Sequence, residues 1–200
     1  MAKKQTQFNT GNIHFDIINK NTLRTLRKRI RKAKDEEWVE KQLNSKLLKG
    51  ILNGDNINKI ADSFLGVVGN SEASAIRNAR TMFTEAENTG KLDSFKELEK
   101  QGVVQKKVWV ATPDDRTRPT HIDLDGEEVD LDEEFSNGCM YPADGNGPAE
   151  EVWQCRCSMR THVIGFTDYK DKNKIHYVKG DRGTTMHDEQ MAKEKKRRGV

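Results

Sequence analysis

The stretch Gly102–Pro113, GVVQKKVWVATP, is where the chain changes from helical to strand character. Its valines and tryptophan are residue types enriched in β-strands, and the proline at its end belongs to a turn. Further along, glycine and proline recur, and only short strands are expected, around Val129 and from about Ser158 to Ile164. The sequence therefore predicts a small, loop-rich α+β unit over residues 103–166.

Residues 20–102 carry apolar side chains at helical spacing, which predicts a helical N-terminal half. The first helix is expected from about Thr22 to Gly50. Its apolar stripe consists of Val39, Leu43, Leu47 and Ile51. A second helix follows, a third ends by Gly90, and a fourth short helix covers Leu92–Lys100. The predicted fold class is thus α+β, with a helical first half and a smaller mixed unit after it.

Both ends of the chain lack a sustained apolar period. We interpret residues 1–19 as an extended arm and residues 167–200 as a polar, flexible tail, whose end from Met191 to Val200 is either disordered or a frayed helix. Apolar residues make up 34% of the chain, charged residues another 34%, and the mean hydropathy is -0.90. These values indicate a core that is small for the length, so the unit at 103–166 needs further stabilisation.

Charge is segregated along the chain, although the net charge is only +3. No Lys or Arg occurs between Pro119 and Cys155, whereas acidic residues crowd Asp123–Glu134 and basic residues crowd Lys20–Lys34 and Lys193–Arg198. An acidic centre with basic ends fits assembly against other proteins, or contact with DNA through those ends. The sequence shows no signal peptide and no long apolar run, so we expect no membrane contact and a reducing cytoplasm at synthesis.

Cys155-Arg156-Cys157 places two thiols two residues apart, and on an extended segment both point to the same side. With His121 and Cys139 they would form the closed shell of four ligands that structural Zn²⁺ takes, and zinc binding would stabilise the thin core. A carboxylate such as Asp123 is an alternative fourth ligand. Two other interpretations stay open: the thiols are small buried apolar groups beside a hydrogen-bonded histidine, or two of them form a disulfide.

The segment Asp114–His121 combines two acids, two arginines and a histidine. It allows a catalytic interpretation, in which Asp115 and His121 serve a metal-dependent hydrolase or nuclease and the arginines grip phosphate. We favour the interpretation as a polar turn, in which Asp115 caps backbone amides and Arg116 or Arg118 pairs with the acidic stretch downstream. The chain contains no glycine-rich phosphate loop, Gly-x-Ser-x-Gly or His-Glu-x-x-His motif. We therefore expect that the protein is not an enzyme, and keep the hydrolase as the alternative.

Short motifs follow one another in a recognisable order through most of the foldable chain. They are Lys107–Trp109, Asp115–Arg118, His121, Asp125–Gly126, Phe135–Gly138, Tyr141–Pro142 and Cys155–Cys157, preceded by Gly50–Gly54, Ile60–Ala61, Ala79–Thr81, Asn88 and Gly90. This order resembles the phage Mu F-like minor head protein family, also described as SPP1 gp7-type head morphogenesis proteins. The resemblance covers about residues 50–164.

The resemblance implies a virion component of a tailed bacteriophage that is associated with the portal and made with the procapsid. The implied role is in head assembly or in DNA packaging or ejection. The implied partners are the portal and the capsid or scaffolding proteins. The implied location is the interior or portal of the phage head, with the host cytoplasm during assembly. The family has no established catalytic activity in this region.

Three positions depart from the family pattern, while the firmer candidate ligands match it. The departures are Met82 in place of an acidic residue, Ala143 in place of a glycine, and Cys139 in place of an apolar residue. The matching ligand positions are His121, Cys155 and Cys157.

Overall fold

The computed structural model describes residues 36–68, 71–168, 170–171, 173–178 and 185–200. Its N-terminal half contains three helices, α1 Glu36–Asn53, α2 Ile57–Val68 and α3 Glu72–Lys100. The buried residues of this helical core are Val39, Leu43, Leu47, Ile60, Ala61, Phe64, Ala75, Ala79 and Met82. The arm at 1–19, the basic run Lys20–Lys34 and the predicted helix before residue 36 lie outside the described residues.

The apolar stripe predicted for the first helix is buried at its first three positions, while Ile51 is exposed in the last turn of α1. Gly50, predicted near the end of this helix, lies inside it. A Cβ at Gly50 would come within 2.5 Å of the Ile60 side chain, so the glycine allows α1 and α2 to approach closely.

The second half is built on a four-stranded antiparallel sheet. The strands are β1 Val103–Val110, β2 Glu128–Val129, β3 Ser158–Thr167 and β4 Ile175–Tyr177, in the order β2-β1-β3-β4. β1 pairs with β3 along its whole length, with Trp109 opposite Met159. Two short helices, α4 Pro119–Asp123 and α5 Ala149–Val152, lie in the connections. The helical first half and this sheet confirm the predicted α+β class.

Helix α3 continues through Gly90, whereas the sequence predicts two helices separated there. Glycine inside a helix costs about 1 kcal/mol relative to alanine. The turns beyond Gly90 regain this free energy by packing, because Leu92 is buried in one cluster with Leu131 and Met159 of the sheet half. Tertiary packing thus overrides the local tendency of the helix to end at Gly90.

The segment predicted as a flexible tail contains a further helix, α6 Met186–Arg198. Thr185 begins this helix with a reciprocal capping box, which satisfies backbone amides of the first turn. Met191 is buried in the cluster that contains Trp109 and the cysteines, and the Arg198 guanidinium donates to the Asp114 carbonyl at 2.8 Å. One apolar side chain and a capped start therefore hold a largely polar helix against the sheet half, which differs from the expectation of a flexible tail.

None of the helices in the described ranges combines the length and apolar composition that crossing a lipid bilayer requires.

Lys107 lies in the middle of β1 and is fully buried. Its ammonium group donates to the carbonyl oxygens of Leu131 at 3.1 Å and Met140 at 2.9 Å, and lies 5.3 Å from the centre of the Phe135 ring. Burial lowers the pKa of this amine to about 8. The Lys107 side chain thus links β1 by hydrogen bonds to two positions of the irregular segment between β2 and α5.

We predict that Lys107→Met lowers the free energy of unfolding by about 2–4 kcal/mol, because two buried carbonyls lose their donor. Urea denaturation measures the change. Lys106→Met is the matched control: Lys106 is partly exposed and lies 3.5 Å from Asp130, so its loss should change stability by less than about 1 kcal/mol. Equal unfolding midpoints for the two variants would contradict this role of Lys107.

Candidate metal centre

Three potential metal ligands, from two separate segments of the chain, lie close together in the core of the sheet half. His121 lies on α4, which starts with Pro119 at a position where the missing amide proton is not needed. Cys155 and Cys157 lie in the extended segment between α5 and β3. All three side chains are at most 3% exposed. The site is therefore enclosed by protein.

The His121 Nδ1 atom lies 3.2 Å from Cys157 Sγ and 3.8 Å from Cys155 Sγ. The three potential ligand atoms lie within 4.8 Å of one another. In a tetrahedral zinc centre, with Zn–S about 2.3 Å and Zn–N about 2.0 Å, neighbouring ligand atoms are roughly 3.5–3.8 Å apart. The spacing therefore fits one metal ion, and the group can hold a metal.

The two thiols have opposite ionisation tendencies. A hydrogen bond from Cys155, helped by His121, lowers the pKa of Cys157 below that of an ordinary thiol. The pKa of Cys155 is raised well above its usual value, because it shares that hydrogen bond and is buried. The two thiols by themselves thus favour a state in which one of them is ionised and the other is neutral. A bound cation would favour the second ionisation as well, because metals bind the deprotonated form.

Polar side chains on one face of α3, here called the polar stripe, form hydrogen bonds with the backbone of residues 154–157, here called the thiol segment. Thr84 Oγ1 donates to the Cys155 carbonyl at 2.9 Å, and Asn88 Nδ2 donates to the Cys157 carbonyl at 3.2 Å. One turn earlier, Thr81 Oγ1 accepts from the backbone amide of Gln154 at 3.0 Å. The three side chains recur at a spacing that places them on one face of the helix. They were not predicted as site residues, although Thr81 and Asn88 belong to the family motifs.

Glu151 stands on the far side of the His121 ring. Its Oε2 lies 2.9 Å from His121 Nε2, without the alignment of a hydrogen bond, and it accepts from Thr120 at 3.1 Å and from Asn137 at 3.3 Å. The Trp109 ring packs edge-on against His121, with 5.3 Å between ring centres. A carboxylate behind the imidazole orients it so that Nδ1 faces the thiols, an arrangement common at metal-binding histidines.

The fourth predicted ligand, Cys139, does not join the group in the described residues. Its sulfur instead packs against Gly147, where an added Cβ would lie 2.5 Å away. Burial raises the pKa of Cys139 to about 12, so this thiol is neutral. Asp123, the alternative fourth ligand, is exposed and also outside the group. All three cysteines are free, so the disulfide interpretation does not hold for this structure.

The residues of the proposed hydrolase are not gathered around His121. Asp115 is exposed and lines a different surface cavity with Arg197 and Arg198. Asp114 is bound by Arg156 and accepts a hydrogen bond from Thr117 at 3.1 Å. This cluster holds the pKa of the Asp114 carboxyl well below its usual range, chiefly through the Arg156 hydrogen bonds. The segment therefore forms a hydrogen-bonded turn beside the metal centre.

The helical half, the antiparallel sheet and the buried histidine and thiols define a small α+β protein with a metal-competent centre in its core. The chain belongs to the phage Mu protein F like protein family, whose model matches residues 41–160. That match includes α3, β1 and all three residues of the metal-competent group.

Two characterised relatives share part of this chain. It is 34% identical over 147 residues to NAD(+)--arginine ADP-ribosyltransferase EFV of Enterococcus faecalis (strain ATCC 700802 / V583), covering 71% of this chain and 29% of that protein. It is 29% identical over 118 residues to Minor head protein GP7 of Bacillus phage SPP1, covering 56% of this chain and 37% of that protein. The chain thus spans about a third of the length of each relative. No solved structure shows significant similarity.

We predict that Thr84→Val lowers the free energy of unfolding by about 1–2 kcal/mol, because the buried Cys155 carbonyl loses its donor while the side-chain volume is kept. Ser94→Ala on the same helix is the control, since the exposed Ser94 hydroxyl bonds only to the Gly90 carbonyl. Thermal denaturation of the two variants measures the difference. A Thr84→Val protein as stable as the Ser94→Ala protein would refute the proposed hold of α3 on the thiol segment.

Proposed function

We propose that this protein is a minor head protein of a tailed bacteriophage, acting at the portal or procapsid in head assembly or in DNA packaging and ejection. The family match over residues 41–160 carries the proposal, because it spans the helical core, β1 and the histidine and thiols together. The name of the SPP1 relative supports it. The site of action would be the virion, with the host cytoplasm during assembly.

The proposed partners are the portal and the capsid or scaffolding proteins. Charged surfaces of both signs on the sheet half support docking through polar contacts. The last turn of α6 carries Lys195, Lys196, Arg197 and Arg198, whereas exposed acids occur in residues 128–134. Surfaces of opposite sign guide association and orientation between proteins.

The role we propose is structural. The relative named as an ADP-ribosyltransferase does not bring that activity to this chain, because the chain spans only 29% of that protein. The metal-dependent hydrolase is also less well supported. Its proposed acid, Asp115, lies outside the group around His121, and substrate cannot readily reach a histidine that is 1% exposed.

We further propose that the centre binds structural Zn²⁺ through His121 Nδ1, Cys155 and Cys157. Two thiolates and an imidazole are ligands that zinc favours, and Glu151 supports the histidine from behind. Bound zinc would neutralise the thiolate charge and join α4 to the segment before β3. The fourth ligand of a closed structural shell would be Cys139 or a carboxylate such as Asp123, brought closer than the described structure places them.

Metal analysis tests the zinc proposal. Protein purified under reducing conditions should contain about one zinc per chain, and Cys155→Ser/Cys157→Ser should lose it. The same double variant should unfold at a lower temperature, because metal binding stabilises the folded state. Cys139→Ser tests the fourth ligand: loss of zinc assigns the thiol, and unchanged zinc content excludes it. Wild-type protein without metal, as stable as the double variant, would refute the centre.

Co-expression with the portal protein of the same phage tests the assembly role. The two proteins should elute together in size-exclusion chromatography at moderate salt. A phage with a stop codon early in this gene should yield fewer infectious particles per cell than the same phage grown with a complementing copy. Separate elution together with an undiminished yield of infectious particles would refute a role in head assembly, packaging or ejection.

A further inference from the structure

Five arginines line one cavity next to the metal centre. Arg77 and Arg80 come from α3, Arg116 and Arg118 from the turn before α4, and Arg156 from between the two thiols. The cavity has a volume of about 610 Å³, and its wall also includes Trp153. We call this the arginine cavity. Its volume lies within the range of pockets that hold small ligands.

Positive charge in the arginine cavity is only partly balanced. Glu150 is the one carboxylate in its lining. Behind the wall, Asp114 binds Arg156, with 2.6 Å between Nη2 and Oδ1, and lies 3.4 Å from the Arg116 guanidinium. Arg118 donates to the Trp153 carbonyl. One carboxylate in the lining and one behind the wall thus stand against five guanidinium groups, which leaves an excess of positive charge.

Two arginines of the cavity lack an anionic partner. Within the described residues, neither Arg77 nor Arg80 forms an ion pair or a side-chain hydrogen bond. The Arg77 Nε atom is moreover buried without any hydrogen-bond partner. A buried donor without a partner is destabilising, and an anion bound to Arg77 would relieve this cost.

We propose that the arginine cavity binds the phosphate groups of a nucleotide-type ligand. Guanidinium groups present paired donors that match phosphate oxygens, and several of them can share one phosphate or contact successive ones. Such phosphates come either from a free nucleotide or from a nucleic-acid strand whose nucleotides enter the cavity.

This site is distinct from the basic ends predicted to contact DNA. It does not depend on bound zinc either, because Arg77 and Arg80 project from α3 and none of the five arginines is a proposed metal ligand. Failure of zinc binding would therefore leave the proposal standing, and failure of phosphate binding would leave the head-assembly role standing.

Fluorescence anisotropy with a labelled single-stranded oligothymidylate of about ten nucleotides tests the proposal. We expect Arg77→Gln/Arg80→Gln to weaken binding at least about tenfold and to reduce the salt dependence of the binding constant. Lys170→Gln/Lys174→Gln removes the same number of charges from exposed positions between β3 and β4, outside the basic ends, and should change affinity by less than about threefold. Circular dichroism and thermal denaturation check that both double variants fold.

Arg77→Lys/Arg80→Lys keeps the charge and loses the paired donors, so it should bind with intermediate affinity. Competition with ATP distinguishes the sources: full displacement of the oligonucleotide indicates a free nucleotide, and weak displacement indicates a strand. Equal losses in the two glutamine variants would assign binding to overall charge and overturn the proposal. Absence of binding for both oligonucleotide and ATP to the wild-type protein would also overturn it.

Discussion

The hydrogen bonds from the polar stripe of α3 to the thiol segment fix how the two halves meet at the candidate metal centre. Apolar packing joins the halves as well, because Leu92 of α3 is buried with Leu131 and Met159, and Trp153 packs against the helical core. Thr84 and Asn88 add hydrogen bonds to two carbonyls of the segment that carries the thiols. Because those carbonyls alternate with the thiol side chains along the segment, fixing the backbone also turns both sulfurs towards His121.

The core of the sheet half contains polar groups that each need a specific partner. Lys107 is buried among carbonyls, and the thiols and His121 contact one another. A core of this composition gains less from burial than an aliphatic one, so its stability depends on satisfied hydrogen bonds. The low apolar fraction of the chain is consistent with this arrangement, and a metal ion would add the strongest of these polar interactions.

The sequence predicts the parts of the fold that depend on local periodicity and misses those that depend on distant contacts. The spacing in Cys155–Cys157 is enough to predict that both thiols face one side. Gly90 indicates a helix end because the residues that pack against the turns after it, Leu131 and Met159, lie far along the chain. Met191 stands alone in a polar stretch of the sequence because the other residues of its cluster are also distant. The spacing of residues in the sequence also does not reveal which side chains a buried group contacts in the fold. The sequence places Cys139 among the candidate ligands, whereas the structure leaves it outside the group of three, and no pattern in the sequence indicates Glu151 behind the histidine.

Arg156 connects the two candidate sites, because it occupies the position between the thiols. Its neighbours Cys155 and Cys157 turn towards His121, while its guanidinium, which lines the arginine cavity, binds Asp114 behind the wall. The Arg156 carbonyl accepts from the Thr112 hydroxyl at 2.7 Å, so the segment is held on this side as well. A change in the position of the thiols would therefore move a guanidinium of the cavity. A metal ion bound on one side would order the anion-binding groups on the other without touching them.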